Sequence, residues 1–119
     1  MTDLKAVARA AREFAEDRDW EQFHTPKNLT MALAGEAGEL AAELQWLTDA
    51  EAWAATTTTG AAQDRFAAEM ANVLIYLLRL SDITGIDLLA AAQTKLATNA
   101  ERYPVELSRG TAAKYTDLN

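Results

Sequence analysis

The stretch Phe66-Ala67-Ala68-Glu69-Met70-Ala71-Asn72-Val73-Leu74-Ile75-Tyr76 decides the fold, because it places apolar side chains at helical spacing among good helix formers. The pattern continues in both directions and predicts one long helix over residues 61–84. Gly85 provides a helix stop, since glycine readily adopts the left-handed conformation that ends helices. The apolar positions that give this helix a broad packing surface are Phe66, Met70, Val73, Leu74, Leu77, Leu78 and Leu80.

Helical patterns lie on both sides of this segment. A first helix is expected to start after a cap at Thr2 or Asp3, and Pro26 suits the first turn of a second helix. The expected elements are helices over 3–17, 26–47 and 87–102, one or two helical turns over 50–55, a loop over 56–60 and an irregular tail over 105–119. Four main helices with short connections predict an all-α fold, a four-helix bundle, in a single domain over residues 1–119.

The composition limits the class of protein. Half of the 119 residues are hydrophobic, but a chain of this length buries only about two-thirds of its unfolded surface, so pairing with a second copy would help. The absence of cysteine excludes a disulfide framework, a thiolate nucleophile and a cysteine-based zinc site. No apolar run approaches the roughly 20 residues that span a membrane, and residues 1–14 lack the apolar centre of a signal peptide. We therefore expect a cytoplasmic protein without a membrane partner.

The net charge of -7 argues against a general nucleic-acid binder, which needs a basic face. Excess carboxylate is what a site for a hard cation requires, although acidic surfaces also simply keep proteins soluble. The charge alone therefore does not decide between these interpretations.

Two carboxylates, Glu36 and Glu39, share one face of the second helix, and Glu43 continues that face. Stacked like charges destabilise a helix, and a bound cation would compensate for them. Gly35 and Gly38 each cost up to about 1 kcal/mol relative to alanine, which suggests close approach of a ligand or another backbone. The alternative is a solvated acidic face with glycines at a helix crossing.

Glu69, Asn72 and Tyr76 form a polar stripe on one face of the long helix, within apolar surroundings. A buried carboxylate needs a partner, usually a metal or a base, although satisfied polar residues in a helix interface would show the same pattern. His24 is the only histidine, so no Glu-x-x-His motif of a di-iron bundle is present. Oxygen-only ligands favour Mg²⁺ or Mn²⁺ over zinc or redox iron.

Lys95, Asn99 and Arg102 share one face of the last long helix and could hold a polyphosphate beside a carboxylate-bound metal. Basic residues are also common in the last turn of any helix, where they stabilise the helix dipole. These three residues therefore indicate either a polyphosphate site or an ordinary helix end. Aromatic residues that could stack on a base, or that could belong to the core or an interface, are Trp20, Phe23 and Trp46, together with His24.

Taken in their order along the chain, the motifs described above resemble those of the MazG-like nucleotide pyrophosphohydrolases, and among them those of the all-helical dCTP pyrophosphatases. The similarity covers most of the chain and weakens at the N-terminus and in the threonine loop. It is carried by residues 14–24 (FAEDRDWEQFH), 26–29 (PKNL), 35–40 (GEAGEL), 45–46 (QW), 69–76 (EMANVLIY), 95–104 (KLATNAERYP) and 114–118 (KYTDL).

The resemblance implies a four-helix bundle in which dimers pair into tetramers, and hydrolysis of a (deoxy)nucleoside triphosphate to the monophosphate and pyrophosphate. The family motif is Glu-x-x-Glu followed by Glu-x-x-Asp, and Glu36, Glu39 and Glu69 occupy three of its four positions. Asn72 occupies the fourth, where the family has Asp. An amide oxygen can coordinate Mg²⁺, but it brings no charge and cannot act as a base.

The resemblance also implies roles for the remaining candidates. Lys95, Asn99, Arg102 and Tyr76 would contact the phosphates, and Trp20, His24 and Trp46 would form the base pocket, some of them in a neighbouring subunit's site. The matching segments favour dCTP or a 5-modified dCTP as substrate.

The catalytic residues are then predicted to be Glu36, Glu39 and Glu69, with Glu39 both binding the metal and orienting water. Three alternatives stay open: a nucleotide-binding protein without turnover because of Asn72, the same chemistry on dUTP or another triphosphate, and an acidic helical oligomer without a ligand.

Overall fold

The structure is a computed structural model that describes residues 3–118, and every regular element in that range is helical. The prediction of an all-α chain is therefore confirmed. The α-helices are α1 (Leu4–Asp17), α2 (Pro26–Ala42), α3 (Asp49–Thr57), α4 (Ala61–Thr84), α5 (Leu88–Arg102) and α6 (Val105–Ser108), and short 3₁₀ helices cover Glu21–Phe23 and Tyr115–Asp117.

Side-chain caps fix where several helices begin. The Asp3 carboxylate accepts a hydrogen bond from the Ala6 amide at 2.8 Å, while the alternative cap Thr2 lies outside the described residues. Thr48 and Glu51 form a capping box at the start of α3, which satisfies two amides that the helix itself leaves unpaired. Gly85 ends α4 with a φ of 72°, as its sequence position predicts.

Two boundaries differ from the sequence predictions, and the tail that was expected to be irregular contains the one-turn helix α6 and a 3₁₀ helix. The second helix was expected to reach residue 47, but α2 ends at Ala42 and the next residues form tight turns, including a bond from the Leu44 amide to the Ala41 carbonyl at 3.1 Å. The loop expected at residues 56–60 begins only at Thr58, where the backbone becomes extended with φ −104° and ψ 126°.

The chain divides into two compact units, residues 1–85 and 86–119. In the first unit α4 is the central element, and α1, α2 and α3 each pack against it. The second unit contains α5, α6 and the last 3₁₀ helix, and the rings of Tyr103 and Tyr115 meet edge to face at 5.9 Å. The predicted four-helix bundle counts α1, α2, α4 and α5, and it stays a prediction, as does the single domain.

The core of the described chain is small, as expected for this length. Its buried apolar side chains are Ala15, Leu29 and Leu78, and the buried Arg79 lies next to Leu78 on α4. Large apolar side chains remain exposed, including Trp46 at 88% and Trp53 at 71% of their surface. No helix within residues 3–118 is long and apolar enough to cross a membrane.

Candidate metal centre and adjoining cavity

Three carboxylates meet where α2 packs against α4. Glu36 and Glu39 come from one face of α2, and Glu69 comes from the facing side of α4. Each offers one oxygen atom, and these oxygen atoms all lie within 4.8 Å of one another. Helical spacing places the two α2 residues side by side, and the packing of the two helices adds the third.

The environment of this trio is unfavourable for three bare negative charges. Oε2 of Glu36 and Oε2 of Glu69 are both buried and have no hydrogen-bond partner within residues 3–118. Burial raises the pKa of Glu69, and repulsion from Glu39 and Glu36 raises it further. A hard divalent cation would coordinate these buried oxygens and neutralise the clustered negative charge. The three carboxylates therefore fit Mg²⁺ or Mn²⁺.

Glu43 does not belong to this cluster, although it continues the same face of α2. Its Oε2 lies 3.6 Å from Nε of Arg65 on α4. This ion pair gives Glu43 a cationic partner of its own, unlike the three clustered carboxylates.

The two glycines beside the carboxylates do not serve a helix crossing within the chain. A Cβ atom built on Gly35 or Gly38 would have no described atom within 4 Å, apart from the local helix backbone. The interpretation of these glycines as a helix crossing is therefore wrong for the single chain. The space they leave is open to a ligand or to a second copy.

A cavity of about 400 Å³ lies between α1, the connector that follows it, and α4. Asn72 lines it one helical turn after Glu69, so the cavity and the carboxylates share one side of α4. Its volume is in the range of small-molecule sites, and most of its wall is apolar. The lining residues are Val7, Ala10, Ala11, Phe14, Ala15, Trp20, His24, Asn72, Ile75, Tyr76 and Arg79.

Aromatic rings form one wall of this cavity. Phe14 and Trp20 meet edge to face at 5.7 Å, and Trp20 meets the imidazole of His24 at 6.5 Å. Edge-to-face contacts hold such rings in place and leave faces on which a planar group can stack. Phe23, another aromatic candidate, is 57% exposed and does not line the cavity.

A buried cation that was not predicted from the sequence, Arg79, also lines the cavity. Arg79 is only 4% exposed, and it donates hydrogen bonds to Nδ1 of His24 at 3.2 Å and to Asp82 at 2.8 Å. Burial lowers the pKa of His24, and the nearby Arg79 cation lowers it further. The available signal was an arginine within the apolar run of α4, three residues after Tyr76 and therefore on the same helix face.

The remaining predicted site residues do not line this cavity. Trp46 follows α2 and projects into solvent in the single chain. Lys95, Asn99 and Arg102 belong to α5 in the unit 86–119, where the Arg102 guanidinium lies 4.8 Å from the centre of the Tyr115 ring. Their expected contacts with phosphate stay predictions.

The chain is similar to known proteins in both sequence and fold. The sequence profile of the MazG-like family matches residues 32–118. The chain is 50% identical to dCTP pyrophosphatase 1 of Rattus norvegicus and 44% identical to that of Homo sapiens, in each case over 97% of this chain and 67% of the relative. A crystal structure of a pyrophosphatase from Archaeoglobus fulgidus is similar in fold, with a TM-score of 0.79 and 31% identity over 87% of this chain and 94% of that one.

Proposed function

The chain belongs to the MazG-like family, and we propose that it hydrolyses a (deoxy)nucleoside triphosphate, dCTP or a 5-modified dCTP, to the monophosphate and pyrophosphate. The observation that carries this proposal is the trio Glu36, Glu39 and Glu69, in which Oε2 of Glu36 and Oε2 of Glu69 are buried without a hydrogen-bond partner within residues 3–118. A cavity of about 400 Å³, which Asn72 lines one helical turn after Glu69, has room for a base. The relatives named dCTP pyrophosphatase 1 support the choice of substrate. The role would be removal of unwanted nucleotides from the pool.

The cofactor of this reaction would be Mg²⁺, with Mn²⁺ as a substitute. Glu36, Glu39 and Glu69 would hold it through carboxylate oxygens, and Asn72 would contribute its amide oxygen. When bound, the metal supplies Lewis-acid polarisation of phosphate oxygens and neutralises their charge.

Glu39 is the carboxylate best suited to handle water. Of the three clustered carboxylates it is the exposed one, whereas Glu36 and Glu69 are partly buried. It would orient a water molecule and accept its proton as the water oxygen attacks the α-phosphorus. The bond from the α-phosphorus to the bridging oxygen breaks, and pyrophosphate leaves with that oxygen.

The cavity would bind the base. Trp20 offers an aromatic face for stacking, and His24 offers a hydrogen-bonding edge beside it. Tyr76 lies one turn beyond Asn72 on α4 and lines the cavity, and it would contact a phosphate.

Other contacts would come from beyond the cavity. Lys95, Asn99 and Arg102 would contact the phosphates and stabilise charge on the leaving pyrophosphate. Trp46 would complete the base pocket of a neighbouring subunit, in a homodimer or homotetramer. Its large exposed ring and the small core of the single chain support this self-association.

A panel of triphosphates is the direct test of activity and specificity. Purified protein is incubated with dCTP, 5-methyl-dCTP, dUTP, dTTP, dATP and dGTP in Mg²⁺, and the products are separated by chromatography. We expect dCTP or 5-methyl-dCTP to be hydrolysed fastest, to the monophosphate and pyrophosphate, with no product in EDTA. Orthophosphate in place of pyrophosphate, or equal rates for all six nucleotides, would contradict the proposal.

A second candidate function, nucleotide binding without turnover, is favoured by Asn72 in place of the family's Asp. It predicts that calorimetry detects dCTP binding in Mg²⁺ while chromatography detects no dCMP. Asn72→Asp should then restore turnover if only that carboxylate is missing. If dCTP with Mg²⁺ leaves the melting temperature of both proteins unchanged, neither function holds and a ligand-free oligomer is the better account.

A further inference from the structure

Four polar side chains form a continuous chain of hydrogen bonds that ends at the cavity. Nε and Nη2 of Arg12 donate to the two carboxylate oxygens of Asp82 at 2.9 and 2.7 Å. Nη1 of Arg79 donates to Oδ2 of Asp82 at 2.8 Å, and Nε of Arg79 donates to Nδ1 of His24 at 3.2 Å. This chain, Arg12–Asp82–Arg79–His24, ties α1, α4 and the connector together.

The direction of the last hydrogen bond determines the protonation of His24. A guanidinium has only donors and stays protonated, so Nδ1 of His24 must be the acceptor. A neutral imidazole that accepts at Nδ1 carries its proton on Nε2. The lowered pKa of His24 agrees with a neutral ring. No hydrogen bond to Nε2 is found within residues 3–118, and His24 is one of the residues that line the cavity.

The position of Arg79 separates it from the phosphate chemistry. It lies ten residues after Glu69 on α4, which corresponds to about 15 Å along the helix axis. Its guanidinium pairs with Asp82, whose pKa is held low chiefly by the hydrogen bond from Arg12. A buried arginine that is fixed by an ion pair this far from the three clustered carboxylates is suited to orienting a neighbour.

We propose that Arg79 is a positioning residue that holds His24 as the Nε2–H tautomer, so that His24 donates a hydrogen bond from the cavity wall to an acceptor atom on the nucleotide base. On a pyrimidine this acceptor is the O2 carbonyl or an unprotonated N3. The inference rests on the proposed function for the identity of the ligand, but the tautomer of His24 is a property of the free protein.

The tautomer is measured first, without any nucleotide. The chain has a single histidine, so the imidazole signals in a ¹⁵N–¹H correlation spectrum belong to His24 without further assignment. We expect the Nε2–H form alone near neutral pH in the wild-type protein, and a mixture of tautomers in Arg79→Leu. A wild-type ring that is protonated, or that carries its proton on Nδ1, would overturn the proposal.

The hydrogen bond to the base is measured with dCMP, because binding of the product does not need turnover. His24→Gln can place an amide N–H near the position of Nε2, whereas His24→Leu has no donor. We expect a Kd for dCMP about three- to tenfold weaker in His24→Leu and in Arg79→Leu, and close to wild type in His24→Gln. Arg9→Gln, an exposed arginine of α1 outside the cavity, is the matched control.

The possible outcomes separate this inference from the proposed function. Equal dCMP affinity in wild type, His24→Leu and Arg79→Leu would overturn the contact with the base. If Arg79→Leu fails to fold, the pair His24→Leu and His24→Gln still decides, since equal losses in both contradict a donor at Nε2. If the wild-type protein binds no nucleotide at all, the proposed function and the base contact are both wrong. The ¹⁵N–¹H spectrum of the free protein still tests the tautomer of His24 in that case.

Discussion

Removal of the Asp82 carboxylate is the most sensitive test of the polar chain beside the cavity. Arg79 is 4% exposed, and its Nη1 lies 2.8 Å from Oδ2 of Asp82. Asp82→Ala leaves this guanidinium buried without its anion, and breaking a buried ion pair on one side costs about 3–5 kcal/mol. Domains of this size are stable by about 5–15 kcal/mol, so we expect a large fall in the free energy of unfolding.

The opposite substitution should be milder. In Arg79→Leu the Asp82 carboxylate keeps Arg12, which donates to both of its oxygens. No charge is then left buried alone, and the loss should be about 1.5–3 kcal/mol for the charged hydrogen bond to Asp82, with a smaller contribution from the bond to His24. The structure therefore predicts an order: Asp82→Ala is less stable than Arg79→Leu, and both are less stable than wild type.

Urea unfolding followed by tryptophan fluorescence and by circular dichroism measures this order. Arg9→Gln again serves as the control, because it removes an arginine from α1 that is exposed and has no contact with Asp82. The reasoning is refuted if Arg79→Leu is the less stable variant, or if neither variant differs from Arg9→Gln. A change in the slope of the unfolding free energy against urea concentration would show that the surface exposed on unfolding has changed as well.

Three further predictions concern the carboxylates, His24 and the glycines. Glu69→Gln should abolish the rise in melting temperature that Mg²⁺ produces in wild type, as followed by calorimetry, while Glu106→Gln on α6 should keep it. Because the folded state lowers the pKa of His24, the unfolded state binds the proton first. The free energy of unfolding should therefore fall as the pH drops below about 6.5, and less so in His24→Gln. If the surroundings of Gly38 stay open, Gly38→Ala should raise the free energy of unfolding by up to about 1 kcal/mol, as measured by urea unfolding. If a ligand or a second copy fills that space, the same substitution should weaken Mg²⁺ binding or self-association.

Local rules predicted most of the helix boundaries. Gly85 acts on carbonyls within one turn, so its position in the sequence predicts where α4 ends. The end of α2 was predicted less well, because Leu44 and Leu47 continue the apolar spacing into residues that form turns. Apolar periodicity marks a face and does not mark where a helix stops.

The candidate site was predictable in part, for the same reason. The spacing of Glu36 and Glu39, and of Glu69, Asn72 and Tyr76, placed each set on one helix face, and the MazG-like resemblance joined the two sets. The cavity was not predictable from spacing, because its lining residues come from three elements: Ala10, Ala11 and Ala15 of α1, Trp20 of the connector and Arg79 of α4.

By itself, the sequence determined the helical class, the family and the three carboxylates. Only the tertiary structure decided that one oxygen of each carboxylate lies within 4.8 Å of the other two, and that Oε2 of Glu36 and Oε2 of Glu69 are buried without a hydrogen-bond partner within residues 3–118. It also decided which side chains hydrogen bond beside the cavity, because Arg79 is 55 residues from His24 along the chain and Arg12 is 70 residues from Asp82. Helical periodicity relates residues a few positions apart, whereas hydrogen bonds across such separations depend on which helix faces meet.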